Sequence, residues 1–278
     1  MSIDLVFEPL NQGFMQRALV AGALVGVVGA LLGVFVVQRG LSFLSDGLAH
    51  AAFGGIALGL LLGTSSDRSL WVALPFTVAV SLGISAVHRR SGLTGDAATG
   101  VLFAVAFALG VLFLGLRSPG APAVNVESLL FGSILAVSPD VLQAMWVMAG
   151  LTTVLLALFW PRLAYATFDP ELAAIGGVKV ASLDRMLLAL VALAVVLGVK
   201  TVGVVLVSAF IVIPAATARL MGGSFAAIAA RAVLIGVVGS GVGLVASYHL
   251  NVASGATIIL VLGLAFFLSL LAPGRASH

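Results

Sequence analysis

Cysteine is absent from this chain, which excludes a disulfide framework and any thiolate metal site. Charge is scarce as well. Only 8% of the 278 residues are Asp, Glu, Lys or Arg, against about 25% in soluble domains, while 62% are hydrophobic. So little polar side chain cannot cover a water-facing surface, and the outside of the molecule must face lipid. The chain also lacks a Gly-x-x-x-x-Gly-Lys-Ser/Thr segment, so it does not bind ATP through a P-loop. It has no His-Glu-x-x-His either, which counts against a membrane zinc protease. Met1 to Glu8 hold two acids and no base, the wrong sign for a secretory leader, so the first apolar stretch is expected to be a permanent span. A pI near 10 invites a nucleic-acid reading. The thirteen Lys and Arg, however, are scattered one or two at a time between apolar runs, a pattern that serves topology and argues against a nucleic-acid partner.

What the chain does have is a succession of apolar stretches with one charge or none, each near the roughly 20 residues that cross a bilayer as a helix. They fall near 14–37, 41–63, 70–87, 97–116, 139–160, 185–199, 201–220, 228–248 and 255–272. The expected fold is therefore all-α: one polytopic membrane domain over 1–278, with about nine transmembrane helices and eight or ten as alternatives. The sixth and seventh stretches are separated only by Lys200 and its neighbours. With the N-terminus outside, the cytoplasm receives Arg39, Arg89, Arg90, Arg162, Lys179, Arg185, Arg219, Arg231 and Arg275. Arg17, Arg68, Arg117 and Lys200 stay at the outer side, so the bias has the usual sign. Residues 117–138, with Pro119, Pro122, Glu127 and the short apolar piece Leu129 to Ala136, would lie outside. Residues 161–184 would lie inside. There Asp169, Pro170 and Glu171 read as a helix start, with a capping acid, proline at the first helical position and an acid in the first turn. A short helix there, over 168–178, suits docking to a partner or lying on the membrane interface.

Acids are the informative residues, since a charge in the bilayer core costs at least about 2.5–3.5 kcal/mol unless paired or solvated. Of ten acids nine can be placed at span ends or in loops; only Asp46 sits inside a span, and His50 follows at i+4, on the same helical face. At 1.5 Å per residue, His50 lies about 13 Å along the second span. Carboxylate plus imidazole is half of a site for Zn²⁺, Mn²⁺ or Fe²⁺. Three readings stay open at this level: a mutually satisfied structural pair, a transported-ion site, and a proton relay. Beside this face Gly47, Ala51, Gly55, Gly59 and Gly63 make a small-residue stripe suited to close helix packing, as do Gly22, Gly26, Gly29 and Gly33 in the first span. Pro214 interrupts an apolar span and frees a carbonyl, marking a hinge or a tolerated kink. His88, beside Arg89 and Arg90, reads as topological, His249 as interfacial, and His278 is uninformative.

Four segments together resemble a known family, the permeases of ABC importers for zinc, manganese and iron that work with a cluster A-I solute-binding protein. Phe14-Met15-Gln16-Arg17-Ala18-Leu19 with Gly33-Val34-Phe35-Val36-Val37-Gln38-Arg39 is similar to the family's opening span. Leu41-Ser42-Phe43-Leu44-Ser45-Asp46-Gly47-Leu48-Ala49-His50-Ala51-Ala52 is similar to its most distinctive motif. Phe168-Asp169-Pro170-Glu171-Leu172-Ala173, ending at Gly176, resembles its coupling segment. Gly203-Val204-Val205-Leu206 through Ile213-Pro214-Ala215-Ala216-Thr217-Ala218 resembles a later signature. The resemblance implies a type II-like importer permease in the bacterial cytoplasmic membrane, without an ATPase of its own. It also implies a second copy of the chain, two ATP-binding cassette subunits inside and a metal-binding protein outside. Asp46 and His50 would contact the passing metal, and 168–178 would insert into the ATPase. Where many members have Pro-Gly after the motif histidine, this chain has Gly54-Gly55, and Ala253 stands where a proline is common. The first departure tilts the expected cargo toward zinc over manganese or iron. A proton-coupled secondary transporter is the alternative, though such carriers use several embedded acids. An intramembrane enzyme would need a nucleophile or a complete metal site, which the sequence lacks.

Overall fold

The computed structural model describes residues 12–65, 68–117 and 134–271. Among them the chain forms ten α-helices, one turn of 3-10 helix at Ile134–Ala136 and no strand. The helices are α1 (Gly13–Gln38), α2 (Ser42–Leu61), α3 (Leu70–Ser91), α4 (Gly95–Gly115), α5 (Pro139–Phe168), α6 (Pro170–Ile175), α7 (Val180–Val202), α8 (Val204–Leu220), α9 (Phe225–Leu250) and α10 (Ser254–Leu271). Eight are long and apolar enough to cross a bilayer, and α8, at 17 residues, is a shorter apolar helix. The nine expected stretches thus correspond to nine helices, eight of full crossing length. Of the expected outer connection, Pro119, Pro122, Glu127 and most of Leu129 to Ala136 lie outside the described residues, as do Arg275 and His278.

α1 is the central post. It packs against α8 and α9, while α2 is held between α3 and α4. Glycine makes the close approaches possible. A Cβ on Gly26 would stand 2.9 Å from the backbone of Gly236 in α9, and one on Gly33 would overlap the Ile211 carbonyl of α8. Pro214 cannot donate to the carbonyl of Phe210, four residues earlier. That oxygen faces α1 where Gly29 has no side chain, since a Cβ there would lie 3.0 Å from it. α8 continues through Pro214, so the helix does not end there.

The discontinuity of this region is at Gly203. Lys200, expected to mark the break, lies in the last turn of α7. Gly203, with φ +89° and ψ 164°, ends α7 and starts α8 among buried neighbours Val202 and Val204. Only glycine adopts that backbone readily, and the free carbonyl of Gly203 accepts from the amide of Val207. Another difference concerns α5, which runs through Pro161 and Arg162 to Phe168 instead of stopping near 160. The carbonyl that Pro161 leaves without a helical donor, that of Ala157, can be satisfied within a membrane bundle by neighbouring groups or a local adjustment of the helix. The expected inner connection over 161–184 therefore shrinks to α6 and the short turns beside it.

Contacts between helix ends establish two ends of the bundle. The end of α1 meets the end of α8 where Arg219 donates to the Val37 carbonyl at 3.3 Å. The start of α1 meets the end of α9 where Gln12 donates to the Tyr248 hydroxyl at 3.3 Å. α6, Arg39 and Arg219 therefore share one end, and Arg17, bonded to the Val137 carbonyl, occupies the other.

Candidate functional site

α2 starts from a tight elbow. Gly40, with φ +69°, turns the chain after α1, and the amide of Leu41 returns to the Val36 carbonyl at 3.0 Å. From Ser42 onward α2 is mostly buried, because its glycines and alanines let α3 and α4 close around it. A Cβ on Gly47 would meet Thr99 at 2.5 Å, one on Gly55 the Cα of Ala73 at 2.6 Å, and one on Gly59 the Cα of Ser69 at 2.9 Å. Ala51 is fully buried. Gly63, expected to extend this stripe, stands outside it. It has nothing within 4 Å, and its φ of +79° makes it the turn that ends α2. Gly54, one residue before Gly55, takes up a packing role instead, against Ala106 and Gly110 of α4.

The polar line Asp46–His50 faces α4 and α8. His50 Nε2 is 3.9 Å from Asp46 Oδ2, with the His50 side chain 26% and the Asp46 side chain 40% exposed. Two ligands at about 2.1 Å from one ion in tetrahedral geometry stand about 3.4 Å apart, so a small side-chain rotation, with the backbone in place, lets this pair grip a single first-row metal. The imidazole is oriented by aromatic edges. Its ring centre is 5.0 Å from Phe103 and 5.6 Å from Phe107, which follow each other at i+4 on α4. His50 Nδ1 is buried and has no hydrogen-bond partner, so ring contacts, and not a second hydrogen bond, set the ring plane. Ser208, in the first turns of α8, lies with Oγ 3.4 Å from Asp46 Oδ1 and 2.9 Å from the Val204 carbonyl. The break at Gly203 thus places the start of α8 beside the carboxylate.

No group of three or more His, Cys, Asp or Glu able to hold a metal occurs among the described residues. Asp46 and His50 offer two donor groups, fewer than a closed metal site needs, on a face that this single copy leaves partly uncovered. The other histidines are elsewhere. His88 bonds through Nδ1 to the Leu93 carbonyl at 2.6 Å on an exposed end, and His249 is exposed beside Tyr248.

The segment at 168–178 forms α6, and the cap is local chemistry. The Asp169 carboxylate accepts from the Leu172 amide at 2.8 Å, Pro170 occupies the first helical position and Glu171 the first turn. The helix ends at Ile175 with Gly176 as its cap, and Gly177, at φ +82°, turns the chain away before 178. Ala173 is fully buried and pins the helix, whereas Leu172 is 52% and Ile175 83% exposed. α6 therefore presents an apolar tip outward.

Sequence reasoning missed Ser208, Phe103 and Phe107. Ser208 lies within the stretch from Gly203 to Ala218 but is one of many small polar residues there. The i, i+4 phenylalanines of α4 are a signal, yet in an apolar helix that spacing is ordinary.

Comparison with known proteins adds an independent finding. Residues 11–273 match the ABC 3 transport family. The manganese transport system membrane protein MntC of Listeria innocua is 34% identical over 268 residues, covering 96% of this chain and 94% of that protein. A protein of Haemophilus influenzae described as "Probable iron transport system membrane protein" is 30% identical over 269 residues, covering 97% of this chain and 93% of that protein. The solved structure of PsaBC from Streptococcus pneumoniae in complex with Fab superposes with a TM-score of 0.84 at 29% identity, covering 98% of this chain and 97% of that chain.

Proposed function

Since this chain belongs to the ABC 3 transport family and is a membrane permease of the metal ABC importer kind, we propose that it conducts a divalent first-row transition metal past Asp46 and His50 into the cytoplasm. The observation that carries this reading is the gripping distance of 3.9 Å between an imidazole and a carboxylate, on a partly exposed face of an otherwise apolar helix. An exposed carboxylate at that depth is unfavourable against lipid. It is reasonable against a polar passage. A second copy of the chain supplies another Asp46 and His50, raising the set to four nitrogen and oxygen ligands. A set assembled from two subunits can be opened, and a conduction site must release its ion.

Manganese stands first as cargo because the names of the relatives point to it, with iron next. Zinc, which the Gly54-Gly55 departure favours, is the competitor, since nitrogen and oxygen donors suit all three ions. ATP-binding cassette subunits dock on the end that carries α6, where Leu172 and Ile175 offer an apolar tip beside Asp169, Pro170, Glu171 and Gly176. An extracytoplasmic metal-binding protein delivers the ion at the opposite end. The cytoplasmic side is the one with Arg39, Arg89, Arg90, Lys179, Arg185, Arg219 and Arg231, in keeping with the positive-inside rule. The test is metal uptake by the reconstituted complex. Asp46→Ala or His50→Ala abolishes uptake while two copies still assemble with the ATPase, and normal uptake in either variant defeats the site. Uptake by vesicles holding this chain without ATPase subunits would favour the proton-coupled alternative instead. Stimulation of ATP hydrolysis by Mn²⁺, Zn²⁺ and Fe²⁺ in turn ranks the cargo.

A further inference from the structure

A transporter of this kind must connect α6, at one end of the bundle, to α2, which carries Asp46 and His50. One side chain bridges the elements next to them. Arg39 is the residue that ends α1, three positions before α2 begins, at the elbow made by Gly40 and Leu41. Its Nη1 pairs with Asp184 Oδ1 at 2.5 Å, and its Nε donates to Thr167 Oγ1 at 3.0 Å. Thr167 is the next-to-last residue of α5, and Asp184 lies one turn into α7, so the two flank α6 on either side. The Thr167 hydroxyl gives its own proton to the Leu163 carbonyl at 2.6 Å, which leaves a lone pair for Arg39. Nearby charges do not compete for these partners. Asp169 caps α6, and Arg185 bonds to the Ala181 carbonyl and the Ser182 hydroxyl on its own helix.

We propose that Arg39 is a positioning residue for coupling, a latch that clasps both flanks of α6 and transmits their displacement through the α1–α2 elbow to Asp46 and His50. This rests on the permease reading above. Three features separate it from an ordinary surface ion pair, which contributes little. The Arg39 side chain is 13% exposed and that of Asp184 32%, so the pair is shielded on the arginine side and partly open to solvent on the other. The third guanidinium nitrogen, Nη2, is buried without a partner. The fork therefore makes one bond to Asp184 and holds a second donor in reserve for a closer, two-bonded grip. Beside the latch there is a cavity of about 290 Å³, lined by Arg39, Leu41, Leu44, Thr167, Pro170 and Asp184 among others. Packed interiors shift between discrete arrangements and do not deform smoothly. This void touches the elbow, the first turn of α2 and the first residue of α6, and gives them space to move against one another.

The experiment measures metal ions imported per ATP hydrolysed by the reconstituted complex, together with the amount of ATPase subunit that co-purifies. Arg39→Gln and Asp184→Asn are expected to assemble and hydrolyse ATP at or above the wild-type rate. They should import at least tenfold fewer ions per ATP. The exchanged pair Arg39→Asp with Asp184→Arg should recover at least a third of the lost ratio. Arg39→Lys keeps the charge but loses the fork, and Thr167→Val removes one bond; each should lower the ratio two- to fivefold. These milder variants decide the matter if a charge-removing variant fails to assemble. Wild-type ratios in Arg39→Lys and Thr167→Val, or losses of uptake and hydrolysis in equal proportion, overturn the latch. A wild-type complex that imports no metal on addition of ATP overturns the permease reading itself, so the two failures are distinct.

Discussion

Ser208 has one hydroxyl proton and three nearby acceptors, the Val204 carbonyl at 2.9 Å, the Val205 carbonyl at 3.4 Å and Asp46 Oδ1 at 3.4 Å. A hydroxyl turned toward Asp46 donates to the carboxylate and stabilises its charge, in competition with the backbone carbonyls for the same proton. A single hydrogen bond contributes about 0.5–1.5 kcal/mol net, a factor of roughly two to ten. Ser208→Ala is accordingly expected to raise the KM for metal uptake two- to tenfold with kcat little changed, in contrast to the complete loss on removing Asp46. An equal fall in kcat would place Ser208 in the moving step instead. Phe103 and Phe107 act on His50 by shape. Each aromatic contact is worth about 0.5–1.5 kcal/mol, so Phe107→Leu should weaken metal stimulation of ATP hydrolysis several-fold while leaving assembly intact. Unaltered stimulation would show that the imidazole is held by other contacts. The acid and the imidazole were legible because each is rare in an apolar span. Ser208 was not, because a lone serine costs little there and stands out from nothing.

At the scale of helices, glycines with different environments should respond differently to the same methyl group. Gly203→Ala forces a side chain into φ +89° and ψ 164°, a cost of order 1–3 kcal/mol. It should lower the unfolding temperature of the detergent-solubilised protein and impair uptake, since the start of α8 beside Asp46 depends on that break. Gly33→Ala meets the Ile211 carbonyl and should separate α1 from α8. Gly150→Ala, with nothing within 4 Å, should leave stability unchanged or slightly raised. Equal effects at positions 33 and 150 would refute the close-packing account of α1. The lengths and positions of the helices followed from runs of apolar residues. The break at Gly203 did not, because Val202 to Val207 are as apolar as a continuous helix, and only the left-handed backbone at one glycine reveals it. The extension of α5 through Pro161 was hidden for the opposite reason, since proline reads as a stop although a bundle can satisfy the carbonyl it frees inside a helix.

For the whole molecule, the proposed two-copy site makes a claim about assembly. The chain has no native cysteine, so His50→Cys introduces a single thiol at the meeting face. In membranes containing the full complex, that variant is expected to form a disulfide-linked or Cd²⁺-bridged pair running at twice the monomer mass under non-reducing conditions. Ile175→Cys, on the exposed tip of α6, should instead cross-link to the ATPase subunit with a bifunctional reagent. A His50→Cys chain that stays monomeric under oxidation would remove the shared site. The exposed apolar residues of α3, α4, α5 and α10, such as Trp71, Leu158 and Leu260, are what a lipid-facing belt requires.

The membrane class, the sequence of helices, the lone Asp46–His50 face and the capped start of α6 were determined by the sequence alone. Each rests on a local quantity: the apolar length of a segment, the cost of a charge in hydrocarbon, or a carboxylate three residues from an amide. Tertiary structure alone decided which glycines are contacts and which are turns, that Gly203 brings α8 to Asp46, and that Arg39 reaches Asp184 and Thr167. The contacts of Asp46 with Ser208 and of Arg39 with Thr167 and Asp184 join residues more than a hundred positions apart. Their proximity is created by the packing of whole helices, which no single segment encodes.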